Sequence, residues 1–178
     1  KYQIAVLRED EGKGGSKLMH RIFSQGRKIF IAKPINHFPL DEQATKTFLM
    51  GGGIGITPML AMAHRLHAIG TDFEVHYSFK QHESAGFLTD LVAVPWADKV
   101  TLHCSAESTR ADLAQILSGY QAGWYVYTCG PDVYMQSVID AAESNSFPEE
   151  ARHLEYFSVP ETPDYVNNDF VLRLAKSG

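Results

Sequence analysis

The sequence predicts an α/β chain: a five-stranded, parallel, doubly wound sheet preceded by part of an antiparallel β-barrel. Three observations carry this reading. From about Lys46 to Ser158, β-type runs alternate with helix-period runs, which requires crossover connections between parallel strands. Two glycine–proline corners, Gly51–Pro58 and Cys129–Pro131, each follow a strand and open a helix. The first 45 residues carry β signals with little helical alternation.

In the first zone, 1–45, strands are predicted at Tyr2–Leu7 and Lys28–Lys33. Between them a glycine-rich loop, Glu9–Ser16, leads into a short amphipathic helix over Leu18–Phe23, with Ser16 as its N-cap. In the second zone, 46–158, the strands are Thr47–Met50, Phe73–Ser78, Lys99–Cys104, Trp124–Thr128 and Arg152–Phe157. The helix Thr57–Ile69 places Met59, Leu60, Met62, Ala63 and Leu66 at apolar positions and stops at Gly70. Pro131–Ser144 shows Val133, Val138, Ile139 and Ala142, and Thr109 is a candidate cap for a helix over Arg110–Leu117. The third zone opens with a linker over 159–168, marked by Pro160–Asp164, and continues at 169–178 into the first strand of another domain. Both ends read as cut, because a strand needs partners for its backbone groups, so a fragment is expected.

Composition narrows the function classes. With 178 residues, 44% of them hydrophobic, the chain can bury one core and has room for parts of a second. A net charge of -5 without a basic stripe argues against nucleic acid as a partner. Apolar runs are too short to span a bilayer, and no signal peptide opens the chain, so no membrane partner is expected. The two cysteines, Cys104 and Cys129, form no C-x-x-C pair; a disulfide framework and a thiolate metal site are poorly supported, and a reducing cytoplasmic setting fits. The eight histidines show no H-E-x-x-H spacing and read as surface or packing residues.

The strongest chemical signal is Gly51-Gly52-Gly53-Ile54-Gly55-Ile56-Thr57-Pro58. Its glycines allow a sharp turn and close approach of a ligand to the backbone. Pro58 suits the first helical position, and a helix start offers free N–H groups to a pyrophosphate. Ile56 stands where a G-x-G-x-x-G motif would have its third glycine, and no Gly-Lys-Ser/Thr ends the loop, so it is neither of those nucleotide motifs. Cys129-Gly130-Pro131 repeats the design after the fourth strand of the sheet. If strand order reverses between the first and fourth strands, both corners flank one ligand crevice.

These corners, with Tyr127-Thr-Cys-Gly-Pro131, resemble the ferredoxin–NADP reductase superfamily. Arg8–Ser16, Asn36–Leu40 and His153–Phe157 resemble its phthalate dioxygenase reductase branch, which includes vanillate demethylase and carnitine monooxygenase reductase subunits. The resemblance implies a nicotinamide-binding domain over 46–158, preceded at 1–45 by the C-terminal part of a flavin-binding barrel. It implies an Arg-x-Tyr-Ser flavin motif upstream and a [2Fe-2S] domain downstream, so no metal is held in this chain. Gly14, Gly15 and Ser16 match the loop that helps hold the flavin phosphate, FMN being expected over FAD. Gly51, Gly52, Gly53, Ile54, Gly55, Thr57 and Pro58 match the pyrophosphate and nicotinamide loop, with Thr57 near the nicotinamide. Cys129 matches a thiol beside the reacting carbon, in a positioning role, and Gly130 and Pro131 complete its turn. Phe157 and Glu155 match the strand end near the flavin ring. The stretch after the second strand of the sheet, Ser78–Glu83, is expected to meet the adenine ribose: Lys80 and His82 would favour a 2′-phosphate, Gln81 and Glu83 a free ribose, and the branch favours NADH over NADPH.

The implied activity is hydride transfer from NAD(P)H to flavin, then single electrons to a [2Fe-2S] cluster and a Rieske-type terminal oxygenase. A stand-alone flavin reductase and a non-enzymatic nucleotide sensor are the alternatives. A hydrolase is remote, since no G-x-S-x-G elbow occurs.

Overall fold

A computed structural model describes residues 3–157. In chain order these form α1 (Gly15–Ile22), β1 (Lys46–Gly52), α2 (Ile56–Ile69), β2 (Asp72–Phe79), α3 (Leu88–Ala93), β3 (Val100–Cys104), α4 (Leu113–Ile116), β4 (Trp124–Cys129), α5 (Asp132–Ser144) and β5 (Arg152–Glu155). All five strands are parallel, in the order β3-β2-β1-β4-β5. The expected reversal therefore falls between β1 and β4, with Gly51 paired to Cys129.

The sheet is covered on both faces. Phe48, Leu49 and Met50 of β1 are all buried, the unbroken apolar run expected of a central parallel strand. On one face α2 sets Met59, Met62, Ala63 and Leu66 against Leu49, Val75, Tyr77 and Tyr127. Those helical positions recur at the spacing that makes one stripe. Gly70, at φ 75°, ends the helix, and the N–H of Thr71 donates to the Leu66 carbonyl at 3.1 Å. On the other face Val138 and Ala142 of α5 pack with Phe48, Met50, Leu117 and Val126. Among the described residues no helix is long and apolar enough to cross a membrane.

Several expectations need correction. Neither Gln3–Leu7 nor Lys28–Lys33 forms a strand, because neither is laddered to another strand among the described residues. Ser16 is not a cap: Gly14, at φ 91°, precedes α1, and the Ser16 hydroxyl accepts from the Glu9 N–H at 3.1 Å. Thr109 does not cap a helix either. Its hydroxyl is taken by Cys104, accepting from the N–H at 2.9 Å and donating to the carbonyl at 3.1 Å. Instead Asp112 caps the shorter α4, accepting from the Gln115 N–H at 3.0 Å. β5 ends at Glu155, leaving Tyr156 and Phe157 beyond the ladder. The expected linker and the strand at Phe170–Leu174 lie outside the described residues.

Candidate functional site

The two glycine corners meet. β1 runs through Gly51 and Gly52 into a 3-10 turn over Gly53–Gly55, and α2 starts at once. A Cβ on Gly55 would lie 2.0 Å from the Cys129 carbonyl oxygen. A Cβ on Gly130 would lie 2.9 Å from the Gly52 Cα. Backbone thus touches backbone at both points, and only glycine fits there. Gly53 adopts φ 54°, which turns the chain out of the sheet. Under this contact the Tyr134 ring fills the space that a Gly52 side chain would need. Burial pushes the Tyr134 phenol up to about 12.

Pro58 is the third residue of α2, not the first. It still costs no hydrogen bond, since the first four helical N–H groups have no partner in the helix. The Thr57 hydroxyl donates to the Ile54 carbonyl at 3.0 Å, tying the helix start to the turn. Pro131 immediately precedes α5, and its carbonyl accepts from the Met135 N–H at 3.0 Å.

A cleft of about 650 Å³ opens beside the joined corners. Thr57, Pro58, Cys129, Glu155 and Phe157 all line it, together with Phe38, His64, Phe87 and residues Gln3–Ala5. Residues far apart in sequence therefore share one wall. Cys129 is fully buried within its residue environment, and desolvation, with the Glu155 charge adding to it, raises the thiol from its ordinary 9.0 to about 11. The group is a neutral thiol at neutral pH, fit for packing and weak hydrogen bonding rather than nucleophilic attack.

Gly14 belongs to a different hollow, about 420 Å³, lined also by Arg8, Lys17, Leu18, His20 and Arg21. No side chain caps the start of α1. Gly15 and Ser16 form its first two residues, so unpaired backbone N–H groups and three cationic side chains share this surface. Arg8, Lys17 and Arg21 were not singled out from the sequence, although Lys17 and Arg21 stand four apart, on one helix face. Phe38 stands in the Asn36–Leu40 stretch that carries the resemblance, without an assigned role there, and His64 and Phe87 gave no local signal. Lys80 lies just past the end of β2 and is not among the residues of the cleft; its carbonyl accepts from the Ala106 N–H at 3.1 Å.

No family model matches the chain. It is 35% identical over 179 aligned positions to vanillate O-demethylase oxidoreductase of Pseudomonas putida, covering 100% of this chain and 56% of that protein. It is 37% identical to the carnitine monooxygenase reductase subunit of Escherichia coli K12, covering 99% of this chain and 54% of the relative. The chain thus spans about half the length of the curated relatives it matches. Among solved structures, phthalate dioxygenase reductase superposes with a TM-score of 0.80 at 32% identity, over 88% of this chain and 49% of that one. That structure is described as modular, for electron transfer from pyridine nucleotides to [2Fe-2S]. In sequence and in superposition alike, the chain is similar to the phthalate dioxygenase reductase-like branch of the ferredoxin–NADP reductase superfamily, as a piece of about half the length of those proteins.

Proposed function

We propose that this chain carries the nicotinamide-nucleotide module of an oxygenase reductase component. The observation that carries the reading is the contact between the Gly51–Gly55 and Cys129–Gly130 corners at the switch point of the sheet. That contact leaves a backbone-lined notch with a helix start on either side, α2 and α5, which suits a pyrophosphate. Thr57 and Cys129 line the adjoining cleft, where they would hold a nicotinamide ring in position. When bound, the cofactors supply the chemistry: a hydride from nicotinamide to flavin, then single electrons for a [2Fe-2S] centre and a Rieske-type oxygenase partner. The protein's share is orientation and exclusion of water, and a thiol that stays neutral adds no competing charge to the cleft.

Residues 1–45 are proposed as the end of a flavin barrel, 46–158 as the nicotinamide domain, and 159–178 as a linker and first strand of a ferredoxin-like domain. The hollow at Gly14, with Arg8 and Lys17, supports FMN over FAD, since it suits a terminal phosphate. Glu155 and Phe157 would lie against the flavin ring from the shared cleft. NADH is favoured over NADPH on the resemblance to the branch. Both cysteines are free, in keeping with a reducing cytoplasm.

Two measurements test this. Titration of the chain with NADH, followed by calorimetry, should give saturable binding that Gly53→Leu abolishes; unchanged affinity overturns the loop assignment. In the intact reductase, Cys129→Ala should slow flavin reduction in stopped flow while leaving NADH affinity nearly unchanged. A parental reduction rate refutes the positioning role.

A further inference from the structure

Away from the cleft, the turn after β2, the last residue of β3 and the turn that follows it bring together three side chains of metal-ligating type. One donor atom from each of His82, Cys104 and Glu107 lies within 4.8 Å of the other two. We propose that these three residues form a binding site for a zinc-class divalent cation at the carboxyl edge of β2 and β3. The proposal goes beyond the nicotinamide reading and does not depend on it.

Donor chemistry selects the ion. An imidazole, a thiol and a carboxylate are the set that zinc takes, with roughly tetrahedral geometry and one position left for water. Ions held only by oxygen, such as calcium or magnesium, do not choose a thiolate. At metal–ligand distances of about 2.0–2.3 Å, donors around one zinc lie roughly 3.5 Å apart. The His82 Nε2 and Glu107 Oε1 atoms are already 3.0 Å apart and the Cys104 Sγ lies within 4.8 Å of both, so side-chain rotations that draw the two exposed groups toward the sulfur complete the triangle.

The surrounding backbone holds the three groups in place. Ala106 donates to the Lys80 carbonyl at 3.1 Å, and the Ser105 hydroxyl donates to the Phe79 carbonyl at 3.3 Å. These bonds join the two turns that supply the ligands. Cys104 is pinned from its other side by Thr109, and its Sγ lies 3.5 Å from the Lys80 carbonyl. The His82 ring packs edge-on against Phe79 at 5.1 Å. Such pre-positioning lowers the ordering cost of binding an ion. His82 and Glu107 are exposed while Cys104 is buried, so the ion would enter from solvent and reach inward to the sulfur. On binding, the metal–sulfur bond replaces the S–H bond, and the thiol proton passes to the buffer.

Cobalt(II) serves as the optical probe for zinc, on the full chain without an affinity tag. The parent should bind one equivalent with a thiolate-to-cobalt charge-transfer band, discharged by added zinc. Cys104→Ser should lose the band, and His82→Gln and Glu107→Gln should each weaken cobalt binding at least tenfold. The latter two change exposed side chains, and circular dichroism checks that each variant is folded. If Cys104→Ser does not fold, the two surface variants decide the matter. Absence of the band in the parent, its survival in folded Cys104→Ser, or parental affinity in both surface variants overturns the site.

Discussion

Residues 28–33 and 46–52 look alike as sequence yet end in opposite states. Lys28–Lys33 carries Ile29, Phe30 and Ile31, a strand-type run, but Phe30 is 105% exposed and no strand forms. Lys46–Gly52 carries Phe48, Leu49 and Met50, with Phe48 only 1% exposed, and is the central strand. The difference lies in neighbours. β1 is laddered to β2 on one side and β4 on the other, with α2 and α5 over its faces. The earlier run has no such partners among the described residues. Strand propensity states what fits a pleated, half-buried surface; it does not supply the surface.

Truncation gives the largest test of that contrast. Phe48→Ala should lower unfolding free energy by about 3–5 kcal/mol in urea, as for a large core aromatic. Phe30→Ala in the same chain should stay within about 0.5 kcal/mol. A cost at Phe30 near that at Phe48 would break the comparison, because it would reveal a buried role for the earlier run. A smaller effect comes from adding a methyl group. Gly55→Ala places a carbon against the Cys129 carbonyl and should cost about 1–3 kcal/mol or more. Gly15→Ala meets nothing within 4 Å and sits in α1, so it should be neutral or stabilising by about 0.5 kcal/mol. Equal effects in thermal melts would erase the distinction between touching and open glycines.

The smallest expected effect is a pH slope. Cys129 holds its proton to about 11 in the fold, against 9.0 ordinarily. The unfolded chain therefore loses this proton first as pH rises. This contribution to stability is complete below about pH 9 and is lost between about pH 9 and 11. Cys129→Ala should flatten that part of the stability profile. A profile identical to that of the parent would show that the thiol is not desolvated as described.

The two corners of the candidate site were legible because their signals are local. The glycines of Gly51–Gly55 and the Cys129–Pro131 turn stand out by residue type, and the alternation of strands and helices places both at the carboxyl end of a parallel sheet. Other parts were not legible, since they depend on who arrives next to whom. Ser16 and Thr109 are ordinary cap residues in sequence, but each hydroxyl is claimed by a backbone group five or seven residues away. Phe38 and Phe87 reach the cleft from loops with no periodic pattern. His82, Cys104 and Glu107 share no motif spacing and meet only because β2 and β3 are neighbours.

Taken alone, the order of residues determined the fold class, the five strands of the sheet and the two corners, because hydrophobic period, glycine and proline act over a few residues. The tertiary structure alone decided that the apolar runs at Gln3–Leu7 and Lys28–Lys33 form no strand, that Gly55 rests on Cys129, and how far that thiol is removed from water. Those outcomes depend on ladder hydrogen bonds, close packing and desolvation, which arise only when distant segments come into contact.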